Sequence, residues 1–416
     1  MYQAPRGTAD ILPEDQRYWS YVTSVVAEAA YTSGYSRIDT PTFEDTGLFK
    51  RTVGEETDVV QKEMYSFKDR GGQEVTLRPE GTAAVCRAYL EHGLHNQAQP
   101  VRLYYLSSMY RYERPQAGRY RQHHQFGAEA IGDGAAAVDL ELIQLAMSML
   151  ERLGLGGMTL VLNNIGDAAD RPAYVEALRE HFRPHLAHLG QDDRRRFDTN
   201  PLRLLDSKEL AREAFLGGAP KSTDYLGAEA KAHWEELLGY LDALGVPYRL
   251  DHKLVRGLDY YTRTVFEVHP DEGGAQSAIC AGGRYDGLIE QLGGAPTPGI
   301  GFGAGIERII AGLRRQEVAV PDVRPHPAVI AYTGTTAKAA AVLLATELRA
   351  GGKAAIVAPE RSLKAQMRYA SSIGAPTVLI LGEAELAGGV VTVRDMATAE
   401  QREVRRADVG AALPGA

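Results

Sequence analysis

The sequence predicts a chain of two parts: an α+β region broken by a helical insertion, then a small α/β domain. Three observations carry this reading. Two runs rich in β-formers, Val101–Tyr112 and Tyr120–Ile131, flank the short polar loop Glu113–Arg119, the pattern of an antiparallel hairpin. From about 165 to 240 the chain turns charged and helical, as in DDRRRFD and KAHWEELLGYL, with no strand-like run nearby. Beyond the proline-rich PDVRPHP at 321–327, strands alternate with helices.

Size and charge bound the possibilities. At about 150 residues per domain, 416 residues suit two or three domains. Lys and Arg total 46 against 54 Asp and Glu, a net charge of −8. That balance argues against a non-specific nucleic-acid coat but leaves room for a local basic groove. Cys86 and Cys280 form neither a disulfide framework nor a CxxC zinc site, and they fit a reducing, cytoplasmic setting. No apolar run approaches the roughly 18 residues a membrane helix needs. The start, MYQAPRGTADILPEDQ, lacks the apolar centre of a signal peptide.

The elements follow in order. Residues 13–33 read as an amphipathic helix, with Trp19, Val22, Val26 and Ala30 at helical spacing and Gly34 as the stop. Strand-like stretches come next, punctuated by Pro41 and the Gly71-Gly72 turn. Pro79-Glu80-Gly81-Thr82 reads as a cap before a helix. After the hairpin, a helix over about 138–153 places Leu142, Leu145, Met149 and Leu153 on one face and ends at Gly154. Strand character returns at Tyr248–Leu254 and Thr264–His269. The last region gives strands at Val329–Tyr332, Ala355–Val357, Thr377–Leu381 and Val390–Val393, with helices over 336–350 and 361–373.

Chemistry concentrates in five windows. The stretch 102–129 holds Arg102, Arg111, Arg114, Arg119 and Arg121, planar forks suited to phosphate oxygens. A hairpin can turn Arg111 and Glu113 to one face, where a phosphate and a base amino group would be met by neighbours. In LVRGLDYYTRTVFEV (254–268), Arg256 and Asp259 interrupt an apolar strand, which is costly unless they are paired or functional. In CAGGRYDGL (280–288), Gly282-Gly283 permits close approach of backbone to a ligand, or forms a plain hairpin turn. PGIGFGAGIERI (298–309) fits a relaxed dinucleotide pattern, but no βαβ unit surrounds it. Its glycines alternate at 299, 301, 303 and 305, as in a strand lying against something flat, and Arg308 begins the following helix. The fifth window is LRPEGTAAVCRAYLE (77–91), where Glu80 also suits a simple helix-start charge. The histidine pairs fit no metal motif, and no GxxxxGK[ST] loop occurs.

Each window alone has an ordinary structural reading, but five in this order resemble one family. Together with RGTADILPED and GYSRIDTPTFED, they are similar to the histidyl-tRNA synthetases, class II aminoacyl-tRNA synthetases of the bacterial type, over nearly the whole chain. MYRYERPQAGRYRQ resembles the class II arginine hairpin and GIGFGAGIERI the third class signature, while LVRGLDYY and AGGRYDGL resemble elements peculiar to the histidine enzyme. The resemblance implies a class II catalytic core over 1–324, an antiparallel sheet flanked by helices, and an anticodon-binding α/β domain over 325–416. It implies ATP, L-histidine and tRNA(His) as substrates, Mg2+ on the outer phosphates, a homodimer and no membrane.

It also implies residue roles. Arg111 grips the α-phosphate and Glu113 meets the adenine amino group. Arg119 and Arg308 hold the far phosphates, and Arg256 stands where other class II enzymes place a catalytic metal. Glu80, Thr82 and Gln125 bind the α-amino group; Glu129, Tyr261 and Tyr285 surround the imidazole, with Tyr260 at the border. Arg114 and Gln116 approach the tRNA acceptor end. Apart from the resemblance, Arg361, Lys364 and Arg368 in the last domain fall at i, i+3 and i+7 and form a basic stripe, suited to phosphate contact or simply a solvated helix face. A related non-catalytic regulatory subunit of histidine biosynthesis usually lacks the anticodon domain and has eroded arginines, whereas Arg111, Arg256 and Arg308 all stand here.

Overall fold

The structure is a computed structural model describing residues 2–55, 57–113, 119–207, 209–271, 278–322 and 326–413. The chain divides into two units, Met1–Pro321 and Asp322–Ala416.

The first unit opens with α1 (Gln16–Thr32), which buries Val22, Val26, Ala29 and Ala30 on one face. Gly34 stops it in a left-handed conformation (φ +80°) that lets Tyr35 N–H donate back to the Ala30 carbonyl. Short strand β1 (Ser36–Arg37) and then β2 (Phe43–Asp45), α2 (Thr46–Val53), β3 (Tyr65–Lys68) and β4 (Glu74–Leu77) follow. β2, β4 and β3 make a small antiparallel sheet. Next come α3 (Thr82–Glu91), the long strands β5 (Val101–Tyr110) and β6 (Gln122–Ile131), α4 (Ala136–Arg152) and β7 (Met158–Asn164). Helices α5 (Arg171–Phe182), α6 (Gln191–Thr199), α7 (Ala214–Gly217) and α8 (Ala228–Ala243) lead to β8 (Tyr248–Leu250) and β9 (Thr262–Pro270). The unit ends with β10 (Cys280–Arg284), α9 (Leu288–Gln291), β11 (Gly299–Gly305) and α10 (Ile306–Arg315).

The main sheet runs β1-β5-β6-β11-β10-β9-β7-β8. Its interior pairs are antiparallel, but β1 joins β5 and β7 joins β8 in parallel, so the sheet is mixed rather than wholly antiparallel. The β5–β6 hairpin pairs without a bulge from Val101↔Ile131 to Tyr110↔Gln122. Strand alternation splits its side chains. Phe126, Ala128 and Ala130 of β6, with Ile300, Phe302 and Ala304 of β11, pack against α1, α4, α8 and α10. The other face carries Gln125, Glu129 and the four alternating glycines, and it is this face that holds the site.

The helical stretch divides. Tyr174, Leu178 and Phe182 of α5 pack with Leu202, Leu204, Leu205 and Leu216 on the site-bearing side of the sheet. Trp234, Leu237 and Leu241 of α8 pack instead with Leu142 and Leu145 of α4 on the opposite side.

In the second unit β12 (Ala328–Tyr332), α11 (Thr335–Ala350), β13 (Ala355–Val357), α12 (Leu363–Ser372), β14 (Thr377–Leu381), α13 (Glu383–Gly388), β15 (Val390–Asp395), β16 (Gln401–Arg405) and α14 (Val409–Ala412) follow in order. They form a mixed sheet β13-β12-β14-β15-β16. α11 packs on one face, through Ala341, Leu344 and Leu348, and α12 on the other, through Ala370. Lys364 and Arg368 are exposed on α12, and exposed Arg361 lies just before it. No helix among the described residues is long and apolar enough to cross a membrane.

Three strands escape the sequence reading: β7, β10 and β16. One placement is corrected. Arg256 and Asp259 do not interrupt a strand; they lie in the connection between β8 and β9, which begins only at Thr262.

Candidate active site

The alternating glycines of β11 explain how the site is made. A Cβ on Gly301 would stand 1.6 Å from Glu129 Oε2, and one on Gly303 would stand 1.5 Å from Gln125 Nε2. A Cβ on Gly299 would meet the Tyr285 ring at 2.3 Å. The flat surface against this strand is thus a row of polar side chains from β6 and the turn after β10. Only glycine leaves them room.

Above this floor lies a cavity of about 910 Å³. Arg111, Glu113, Arg119, Gln125, Arg256 and Arg308 all line it, although they span almost 200 residues of sequence. Arg111 extends the hairpin ladder, its N–H donating to the Arg121 carbonyl at 2.9 Å. Its Nε donates to the Pro79 carbonyl at 2.8 Å, tying the hairpin to the PEGT turn. Glu113 pairs with Arg119 at 3.0 Å. Arg308, in the first turn of α10, donates to the Ala278 carbonyl at 2.5 Å. Burial, and after it neighbouring Arg119, lowers its pKa.

Arg256 pairs with Glu267 of β9 rather than with Asp259. Its guanidinium lies 5.9 Å from the Tyr261 ring centre. Burial works against its charge, but Glu267 and the tyrosines outweigh that, leaving its pKa above the ordinary value. Glu267 also accepts from His269 at 2.8 Å. Burial would raise the Glu267 pKa, yet Arg256 and His269 hold it below the usual carboxylate range.

Behind the floor is a closed polar cluster. Glu129 is fully buried and accepts from Thr82 Oγ1 at 2.8 Å, from Tyr285 at 2.7 Å and from Tyr105 at 3.4 Å. Desolvation pushes its pKa up to about 8 despite these donors. Tyr260 and Tyr261, ring centres 4.6 Å apart, complete the wall, with Tyr260 edge-on to Tyr285. Glu80 acts as a cap: its carboxylate accepts from the N–H groups of Thr82 at 2.6 Å and Ala83 at 2.9 Å, fixing the start of α3. Burial nevertheless raises its pKa.

A positive cleft beside a nearly dry carboxylate pocket suits a nucleotide and a small cationic or hydrogen-bonding ligand side by side. Comparison with known proteins agrees. The family model for histidyl-tRNA synthetase matches residues 7–309, and that for the anticodon binding domain matches 327–415. The chain belongs to the histidyl-tRNA synthetase family. A histidine–tRNA ligase of Dehalococcoides mccartyi is 54% identical over 97% of both chains, and one of Caldanaerobacter subterraneus is 47% identical over the same share. The apo histidyl-tRNA synthetase of S. aureus superposes with a TM-score of 0.84 at 39% identity, covering 99% of each chain. Histidyl-tRNA synthetases join histidine to tRNA through an aminoacyl-adenylate.

Arg114 and Gln116 lie outside the described residues. Two groups escape the sequence reading: Tyr105 in the buried cluster and Glu267 in the cavity wall. Tyr105 faces Gly127 across the hairpin, its ring filling the space where a Gly127 Cβ would sit, 2.1 Å away. A bulky residue opposite glycine in a hairpin register is the signal that finds it. Glu267 is an acid within the apolar run TVFEV, and a charge inside a strand pattern is the signal that finds it.

Among the described residues no group of three or more His, Cys, Asp or Glu is placed to hold a metal. The cavity does offer the carboxylates of Glu113 and Glu307. Such a donor set fits a magnesium ion carried on substrate phosphates, not an all-protein cage.

Proposed function

We propose that this chain attaches L-histidine to tRNA(His) at the expense of ATP, with the residue roles that follow. The observation that carries the reading is the convergence of Arg111, Arg119, Arg256 and Arg308 on one cleft that Gln125 also lines, with the buried Glu129 carboxylate one alternation further along the same glycine strand.

In the first step a histidine carboxylate oxygen forms a bond to the ATP α-phosphorus. The bond to the β-phosphate oxygen breaks, and pyrophosphate leaves with the electron pair. Displacement at phosphorus depends on charge stabilisation and alignment. Arg111 serves the α-phosphate, Arg119 and Arg308 the outer phosphates, and Glu113 the adenine amino group. Mg2+ carried on the nucleotide would neutralise the outer phosphates. Arg256, side chain 21% exposed, serves the pentavalent phosphorus and the histidine carboxylate together.

Gln125, with Thr82 and Glu80, binds the α-amino group. Glu129 and Tyr285 meet the imidazole beside Tyr261, with Tyr260 at the border. A buried site built around polar partners rejects apolar side chains, because its own groups would go unpaired. In the second step the terminal ribose hydroxyl of the tRNA attacks the activated carbonyl, loses its proton and releases AMP. Arg114 and Gln116 approach that acceptor end, and residues 325–416 read the anticodon. We take the chain to act as a homodimer in the cytoplasm; Cys86 and Cys280 are free and buried, as suits a reducing compartment.

The test is exchange of labelled pyrophosphate into ATP, run with each of the twenty amino acids in turn. Exchange with histidine alone is expected. A folded protein that exchanges with none, or best with another amino acid, overturns the reading.

A further inference from the structure

Arg256 is held from two sides. Its guanidinium meets Glu267 of the sheet. Its backbone is held from the helical insertion: Arg203 Nη1 donates to the Arg256 carbonyl at 2.8 Å, and the Arg203 guanidinium lies against Gly257. The same guanidinium pairs with Asp206 at 3.1 Å, which fixes its direction. Three residues upstream, Asn200 Nδ2 donates to Asp259 Oδ1 at 3.1 Å. Two side chains of one short segment therefore grip two points of the 254–261 connection, which has no strand pairing of its own.

These links are not what keeps the insertion in place. Leu202, Leu204 and Leu205 are buried in the cluster that includes Leu254 and Val255, and Arg196 of α6 pairs with Asp58 at 3.1 Å. Arg203 thus adds little to docking. It sets where the Arg256 main chain lies, and so where its guanidinium enters the cavity.

We propose that Arg203 is a positioning residue for Arg256, through which the helical insertion controls histidine activation. The proposal rests on the role given to Arg256 above. A displacement of about 1 Å in a group that must meet a pentavalent phosphorus costs on the order of 10²-fold in rate. The insertion then has a direct route to the chemistry: whatever moves segment 200–206 moves Arg256.

The experiment compares Arg203→Ala, Arg203→Lys, Asn200→Ala, Arg256→Ala and the Arg203→Ala/Arg256→Ala double variant in histidine-dependent pyrophosphate exchange, with thermal melts alongside. Arg256→Ala should cut exchange by about 10³-fold, to a small residual rate, in a folded protein; near wild-type exchange there overturns the role of Arg256 itself. If that role stands, Arg203→Ala should lower kcat by about 10- to 100-fold while KM for ATP stays within about twofold. Arg203→Lys, which keeps a donor for the carbonyl, should recover most of the loss. The double variant should be no worse than Arg256→Ala. Unchanged kcat in Arg203→Ala, loss confined to KM, or further loss in the double variant overturns the proposal. Should Arg203→Ala melt far below the wild type, Asn200→Ala decides: a fall in kcat without a fall in melting temperature supports the proposal, and an unchanged kcat overturns it.

Discussion

At the residue scale the site depends on groups that are absent as much as on those present. Gly301 has no Cβ, and that space is occupied by the Glu129 carboxylate. Gly301→Ala should therefore expel or rotate Glu129 while the strand pairing survives. We expect histidine-dependent exchange to fall by about 10²-fold with the secondary structure intact, as far-ultraviolet circular dichroism would show. Glu129 itself gives a pH prediction. Its pKa rises from an ordinary 4.5 to about 8 in the folded chain. Between those values the unfolded chain has lost the proton and the folded chain keeps it, so stability falls as pH rises through that window. The slope is at most about 1.4 kcal/mol per pH unit. In the absence of ligands, melting temperature should drop from pH 5 to pH 8 less steeply in Glu129→Gln than in wild type. Parallel profiles would count against a buried, protonated Glu129.

At the element scale, the hairpin and the helices were legible because their patterns are local. β5 and β6 alternate in a single register, and α1 and α4 repeat their apolar residues at helical spacing. β10 was not legible, since CAGGR has too few β-formers to announce a strand; it is one because β9 and β11 pair with it on both sides. α8 carries a different lesson. It belongs to the stretch the sequence reads as the helical insertion, yet Leu237 is fully buried in the cluster behind the main sheet. Leu237→Ala should cost about 2–5 kcal/mol. A urea titration should show an earlier midpoint, whereas exchange activity below the transition should be nearly unchanged, because α8 lies on the far side of the sheet from the cleft. A large kcat effect without loss of stability would contradict this assignment.

For the whole molecule, each unit has its own core: Val329, Ile330 and Leu379 are fully buried within the second, and none belongs to the apolar clusters of the first. Cutting at about residue 322 should spare histidine-dependent exchange and raise the KM for tRNA in charging assays. Normal activation with an unchanged tRNA KM would give the second unit another role. The sequence by itself determined the family, the hairpin, the arginines and the alternating glycines, because each is written in residue type and short spacing. Only the tertiary structure decided that Tyr105 closes over Gly127, that Arg256 pairs with Glu267 and that Arg203 reaches its carbonyl. Those partners are brought together by sheet order and by the packing of the insertion, and contacts between residues far apart in the chain leave no periodic trace in it.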